Sequence, residues 1–164
     1  MGSTQEPDWT AVYRASAYAW LDRGRWRAFA LDGAGGAAPP PLPESVTLIT
    51  AWNPGSEERP LPWNEAANAR LLRALIRAGQ RWAPAFGASL PGTTPPWREE
   101  GFAVLGLDRA EACAWGRDWG QRAVVHLTPA GAAELLFCAE ETAVACHYRP
   151  LPAEEILDPA AVSP

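Results

Sequence analysis

The sequence predicts an α/β (α+β) domain: a mixed, partly antiparallel sheet of about five or six strands, two main helices packed on it, and a short N-terminal helix. Three observations support this. Apolar residues alternate on either side of a turn between Ser16 and Leu31, and they recur at helical spacing from Glu65 to Ala78. Strand-like and helix-like segments then follow one another through the second half of the chain. Right-handed crossovers make the strands that flank each helix parallel, whereas the hairpin is antiparallel, so the expected sheet is mixed.

Taken in order, Asp8 caps a short helix with Trp9, Val12 and Tyr13 at helical spacing. Tyr18 and Trp20 alternate up to the turn Asp22-Arg23-Gly24, and Trp26 to Leu31 returns as a second strand. Ser45 to Trp52, with Val46, Thr47, Ile49 and Thr50, is short, apolar and β-branched, which suits a strand covered on both faces. From Glu65 to Ala78, Ala67, Leu71, Leu72, Leu75 and Ile76 form one apolar side, with Asn64 as a cap and Gly79 as the stop. Arg70, Arg73, Arg77 and Arg81 follow one another on another side of this helix. Such a stripe can grip phosphate, but a solvated face that favours the helix dipole is the simpler reading.

A strand near Arg81 to Phe86 precedes a Pro-rich loop, and Gly101 to Leu107 is a further apolar strand. Asp108 with Glu111 makes a capping box for a helix that runs to Trp119 and is closed by Gly120. Gly116 on its apolar face costs that helix about 1 kcal/mol relative to alanine, which predicts a close neighbour there. Gln121 to Leu127 and Glu134 to Ala139 supply two more strands. The expected organisation is a tail or expression scar at 1–8, a single globular domain at 9–148 and a Pro-rich C-terminal tail at 149–164. The Pro39 to Pro43 run after Gly35-Gly36 reads as a spacer.

Composition narrows the function classes. At 164 residues, 48% hydrophobic and 20% charged, the chain is far from the disordered class and can bury a core. A net charge of -5 gives no support to a nucleic-acid partner. Cys113, Cys138 and Cys146 are odd in number and lack C-x-x-C spacing, which argues against a disulfide framework and structural zinc. With only His126 and His147 as imidazoles, neither a metal nor a cofactor is expected. The absence of a leader pattern and of any run near the ~20 apolar residues of a membrane helix predicts a cytoplasmic protein without membrane contact.

The candidate chemistry lies in three strings. In Trp52-Asn53-Pro54-Gly55-Ser56, a strand runs into a polar turn. Asn53 before proline is expected outside the helical region, its amide projecting at a strand end where α/β sheets place ligands. Asn53 and Ser56 equally fit bonding to turn backbone. Asn64 and Asn68 lie four residues apart on one side of a helix start, Asn64 fitting a cap and Asn68 reaching back toward Asn53. In Trp97-Arg98-Glu99-Glu100-Gly101-Phe102, adjacent carboxylates face opposite sides of a strand. One of them then sits against core or pocket, raised in pKa by burial or held charged by Arg98, Arg117 or Arg122.

If the strand holding Phe102 runs antiparallel to the one ending at Trp52, then Asn53, Glu99, Glu100 and Gln121 gather at one rim, framed by Trp52, Trp63 and Trp97. Ser56 with His126 lacks a nucleophile elbow, and the cysteines fit inert packing.

These strings, from Ile49-Thr50-Ala51-Trp52-Asn53-Pro54 through Asn64, Asn68, Trp97-x-Glu99-Glu100-x-Phe102 and Gly120-Gln121-x-Ala123, resemble the bacterial family of domain of unknown function 3293. The resemblance covers roughly Tyr13 to Leu136. It implies a compact stand-alone bacterial cytoplasmic protein and carries no catalytic residue across; relative to its pattern the stretch Gly33 to Pro43 is longer. The residues themselves predict a small polar ligand or substrate at the rim of Trp52, Asn53, Ser56, Asn64, Asn68, Trp97 and Gln121, with Glu99 or Glu100 as general acid or base. The competing expectation is a protein-interaction module that uses exposed tryptophans and the arginine stripe, with the polar strings as caps and turns.

Overall fold

A computed structural model describes residues 6–33 and 39–157. Most of the expected N-terminal tail, the Gly35-Gly36 spacer and the last seven residues lie outside the described residues. The hairpin forms as expected from β1 (Ser16–Asp22) and β2 (Arg25–Ala30), behind α1 (Trp9–Arg14) with its Asp8 cap. Arg23 (φ 50°) and Gly24 (φ 78°) make a two-residue left-handed turn that matches strand twist. Next come β3 (Val46–Ile49), α2 (Leu61–Arg77), β4 (Trp82–Ser89), β5 (Arg98–Leu105), α3 (Arg109–Asp118) and β6 (Ala123–Leu127). The chain continues through β7 (Ala133–Phe137), β8 (Thr142–Cys146), β9 (Arg149–Leu151) and α4 (Glu154–Leu157).

The sheet has nine strands, in the order β8-β7-β6-β3-β5-β4-β1-β2-β9, where about five or six were expected. All its ladders are antiparallel, which corrects the expectation of a mixed sheet. Among the described residues one isolated bridge, Asp32 to His147, is parallel. The crossovers still explain the pattern. β3-α2-β4 returns a strand parallel to its start, and so does β5-α3-β6, but each leaves a gap one strand wide. β5 fills the gap between β3 and β4, and β3 fills the gap between β5 and β6. This is the split β-α-β arrangement, extended by β7 and β8 on one side and by β1, β2 and β9 on the other.

Both main helices lie on one face. Leu71 and Leu75 of α2 and Ala112 and Cys113 of α3 share a core with Ile49, Val104, Val124 and Leu136. Gly116 is required there as expected, since a Cβ would stand 2.4 Å from Cys138 Sγ. α3 carries the Asp108–Glu111 capping box. α2 begins at Leu61, not near Glu65, because Pro62 in its first turn has its φ already fixed at the helical value and lacks an N–H that would go unpaired there. Asn64 therefore sits inside the first turn and does not cap the helix.

The other face curls into a half-barrel around Phe29, whose ring stacks on Tyr18 at 5.7 Å and on Tyr148 at 4.9 Å between centroids. The outermost strands β8 and β9 are joined by His147 and Tyr148 alone. The segment from 149 on, read from sequence as a tail, contributes β9, which pairs with β2, and α4, which buries Ile156.

Candidate functional site

The site begins where β3 ends. A Cβ on Gly101 would stand 2.7 Å from Ile49 O, so glycine is what lets the end of β3 press onto β5. Thr50 Oγ1 donates to Glu100 O at 2.6 Å. The Asn68 amide accepts from Ala51 N at 2.8 Å and donates to Glu100 O at 2.7 Å. Asn68 thus fastens the exit of β3 to β5.

Asn53 then takes a left-handed conformation (φ 44°, ψ 61°), outside the right-handed helical region as expected before proline. Asparagine tolerates this region better than most residues, and its side chain is held on three sides. Asn53 N donates to Asn64 Oδ1 at 2.9 Å, and Asn53 Oδ1 accepts from Asn64 Nδ2 and Arg59 N, each at 2.9 Å. Asn53 Nδ2 donates to Glu99 Oε1 at 3.1 Å. The following 3-10 turn, Pro54–Ser56, rests on Gly120: Gly55 N donates to Gly120 O at 2.7 Å, and a Cβ on Gly120 would stand 2.6 Å from Pro54 Cβ. Gln121 Nε2 donates to Trp52 O at 3.3 Å.

This arrangement brings Trp52, Asn53, Ser56, Trp97, Glu99 and Gln121 to one cavity of about 240 Å³ at an end of the half-barrel. β3 and β5 are antiparallel, the condition from which their convergence was argued. Strand alternation splits the two carboxylates: Glu99 follows the concave face with Ala103, and Glu100 follows the helix-bearing face with Val104. Glu100 pairs with Arg98, and with Asn68 and Trp52 it lines a shallow depression on that other face. Asn64, 1% exposed, and Asn68, 7% exposed, spend their amides on the bonds above and lie outside the cavity. Trp63 is 39% exposed on α2 beneath Arg59.

Sequence reasoning missed the wall supplied by α1, and it named Arg122 only as an ion-pair partner for a carboxylate. Tyr18 Oη donates to Tyr13 O at 2.8 Å and Ser16 Oγ to Val12 O at 2.9 Å, holding α1 so that Trp9, Val12 and Tyr13 line the cavity. The Arg122 guanidinium lies 4.1 Å from the centre of the Trp9 ring. The helical stripe of α1 was visible in sequence, but its destination was not.

Burial raises the Glu99 pKa, and the Asn53 donor offsets part of that rise. Burial pushes the Tyr13 hydroxyl up to about 12, with Arg122 pulling it down and Glu99 adding to the rise. Of the three arginines considered as partners for Glu99, Arg98 holds Glu100 and Arg117 holds Glu141 at 2.8 Å. Arg122 shares the cavity without an ion pair to Glu99 among the described residues.

Other sequence candidates are placed elsewhere. His126 is buried on the helix-bearing side, its Nδ1 2.8 Å from Thr47 Oγ1, and it does not line the cavity with Ser56. Burial raises the thiol pKa of Cys113, and that of Cys138 to about 12. Arg70, Arg73 and Arg77 are exposed on α2, and Arg81 binds Glu44. No described helix is long and apolar enough to cross a membrane.

Comparison with curated proteins and with solved structures yields no match. The strings that build the cavity, Trp52-Asn53-Pro54, Trp97-Arg98-Glu99-Glu100 and Gly120-Gln121, all fall within residues 49–124, the stretch that matches the family described as Protein of unknown function (DUF3293).

Proposed function

We propose that this is a cytoplasmic protein that binds a small polar ligand or substrate in the half-barrel cavity, with Glu99 as its chemical centre. The observation that carries the reading is that Glu99 turns a carboxyl group into the cavity with one hydrogen bond, from Asn53, and no cation among the described residues. An unpaired carboxyl in such a place works against folding, and clefts with carboxyls of this kind are where binding and proton transfer concentrate. Asn53, locked by Asn64, orients the Glu99 carboxyl. With its pKa raised, Glu99 can hold or take a proton closer to neutrality than an exposed carboxylate can. Trp52 and Trp97 provide flat apolar walls, and Gln121 and Ser56 add polar atoms at the rim. Asn68 and Asn64 serve this site from behind by fixing its backbone, and Glu100 stands on the opposite face.

The test is a fragment screen on the full chain by ligand-observed NMR, followed by soaking of crystals. Hits are expected in the cavity, lost in Glu99→Gln and kept in Glu100→Gln, both variants remaining folded. Hits that bind elsewhere, or that are indifferent to Glu99→Gln, would overturn the reading.

A further inference from the structure

Whereas Arg70, Arg73 and Arg77 are exposed on α2, several arginines in this molecule meet carboxylates, among them Arg27 with Asp22, Arg109 with Glu134, Arg117 with Glu141 and Arg149 with Asp32. Arg122 does not. Its Nε is buried with no hydrogen-bond partner, and its guanidinium meets the face of Trp9, whose own Nε1 is likewise buried and unpartnered. Among the described residues no carboxylate lies within ion-pair distance of Arg122, and no cation lies within that distance of Glu99. Both residues line the same cavity. The pocket therefore holds one positive and one negative group, each with unused hydrogen-bonding capacity, that have not neutralised each other.

We propose that the ligand is a small zwitterion of amino-acid size, its carboxylate on Arg122 and its ammonium on Glu99, with an apolar body against the aromatic walls. This rests on the cavity being a ligand site and names the chemistry of that site's occupant. A simple anion would satisfy Arg122 and be repelled by ionised Glu99, whereas a simple cation would do the reverse. A neutral molecule would leave both charges desolvated and uncompensated. A carboxylate has two oxygens, enough for two N–H donors of the guanidinium fork. Asn53 already occupies Glu99 Oε1, and among the described residues Oε2 has no hydrogen bond, so it is free for an N–H donor. The volume of about 240 Å³ and the walls of Trp9, Tyr13, Trp52 and Trp97 suit one compact, partly apolar molecule.

The experiment is isothermal titration of the full chain with the common L-amino acids, a set of β- and γ-amino acids, and a general fragment set. For the best binder, the acid lacking the amine and the amine lacking the acid are titrated as well; for phenylalanine these are 3-phenylpropionate and 2-phenylethylamine. The expected result is that a zwitterion binds and that removing either charge weakens binding about ten-fold or more, the scale of one charge-assisted hydrogen bond. Glu99→Gln should erase the advantage of the zwitterion over its acid-only counterpart, and Arg122→Met its advantage over the amine-only one. Thermal unfolding confirms that each variant is folded. If a one-charge counterpart binds as well as the zwitterion, or if only non-zwitterionic fragments occupy the cavity, this inference falls and the ligand-site reading stands. If nothing binds in the cavity, both fall.

Discussion

Gly79 and Gly120 form a matched pair of probes for how tightly the Asn53 turn is held. Each follows the C-terminal end of a main helix, and their φ values are nearly equal, +70° and +72°. A Cβ on Gly79 meets nothing within 4 Å, whereas one on Gly120 stands 2.6 Å from Pro54 Cβ. Replacing either by alanine puts a side chain into left-handed backbone at a cost of about 1 kcal/mol. In Gly120→Ala, Pro54 must also retreat by about 1 Å to restore normal carbon–carbon contact. That movement lengthens the 2.7 Å bond from Gly55 N to Gly120 O. Overpacking and the weakened hydrogen bond together add about 2 kcal/mol. With about 2–4 °C per kcal/mol for a chain of this length, Gly79→Ala should lower Tm by about 2–4 °C and Gly120→Ala by about 6–12 °C. Thermal unfolding followed by circular dichroism at one pH measures both. If the two variants melt within about 1 °C of each other, the turn is not braced against Gly120 and the geometry given for Asn53 is wrong.

Two further outcomes follow from single side chains. Because burial raises the Glu99 pKa, the folded state favours the neutral acid. The stability this contributes is complete below the unfolded carboxyl pKa of about 4.3 and is lost as pH rises through the folded value. Glu99→Gln, which is neutral throughout, should therefore raise Tm at pH 7 and change it little near pH 3.5; a lower Tm at pH 7 would mean that a partner holds the carboxylate charged. Asn68→Ala removes the acceptor for Ala51 N, while Glu100 O keeps the Thr50 hydroxyl. One orphaned buried N–H costs about 1–3 kcal/mol, so Tm should fall by at least about 2 °C, and an unchanged melting curve would show that water replaces the amide.

The hairpin, the two main helices, the start of α3 and the C-terminal stops of both helices were legible because their signals are local, whereas the start of α2 was not. Alternation around Arg23-Gly24, the Asp108–Glu111 box, and Gly79 and Gly120 each act within a few residues. The strand count was not. β9 is a three-residue edge strand containing Pro150, and β8, with Thr142 and Val144 at alternate positions, buries none of its residues fully, so neither carries a buried apolar run. Crossover handedness predicts the relative direction of β3 and β4 correctly but says nothing about the strand inserted between them. In the site, adjacent carboxylates had to face opposite sides, yet which of Glu99 and Glu100 looks into the concave face depends on the direction of curl. The bonding of Asn64 and Asn68 to backbone depends on where Ala51 and Asn53 pass the helix, which their spacing does not encode. Arg122 and Tyr13 become neighbours of Glu99 only once α1 is laid across the end of the half-barrel.

The interleaving of the two crossovers governs how the molecule is assembled. Neither the stretch from β3 to β4 nor the stretch from β5 to β6 contains the middle strand of its own ladder, so each half is a frame with a missing slat that only the other can supply. The turn bearing Asn53 and the strand bearing Glu99 come from opposite halves, so the binding residues come into register only when the two frames lock together.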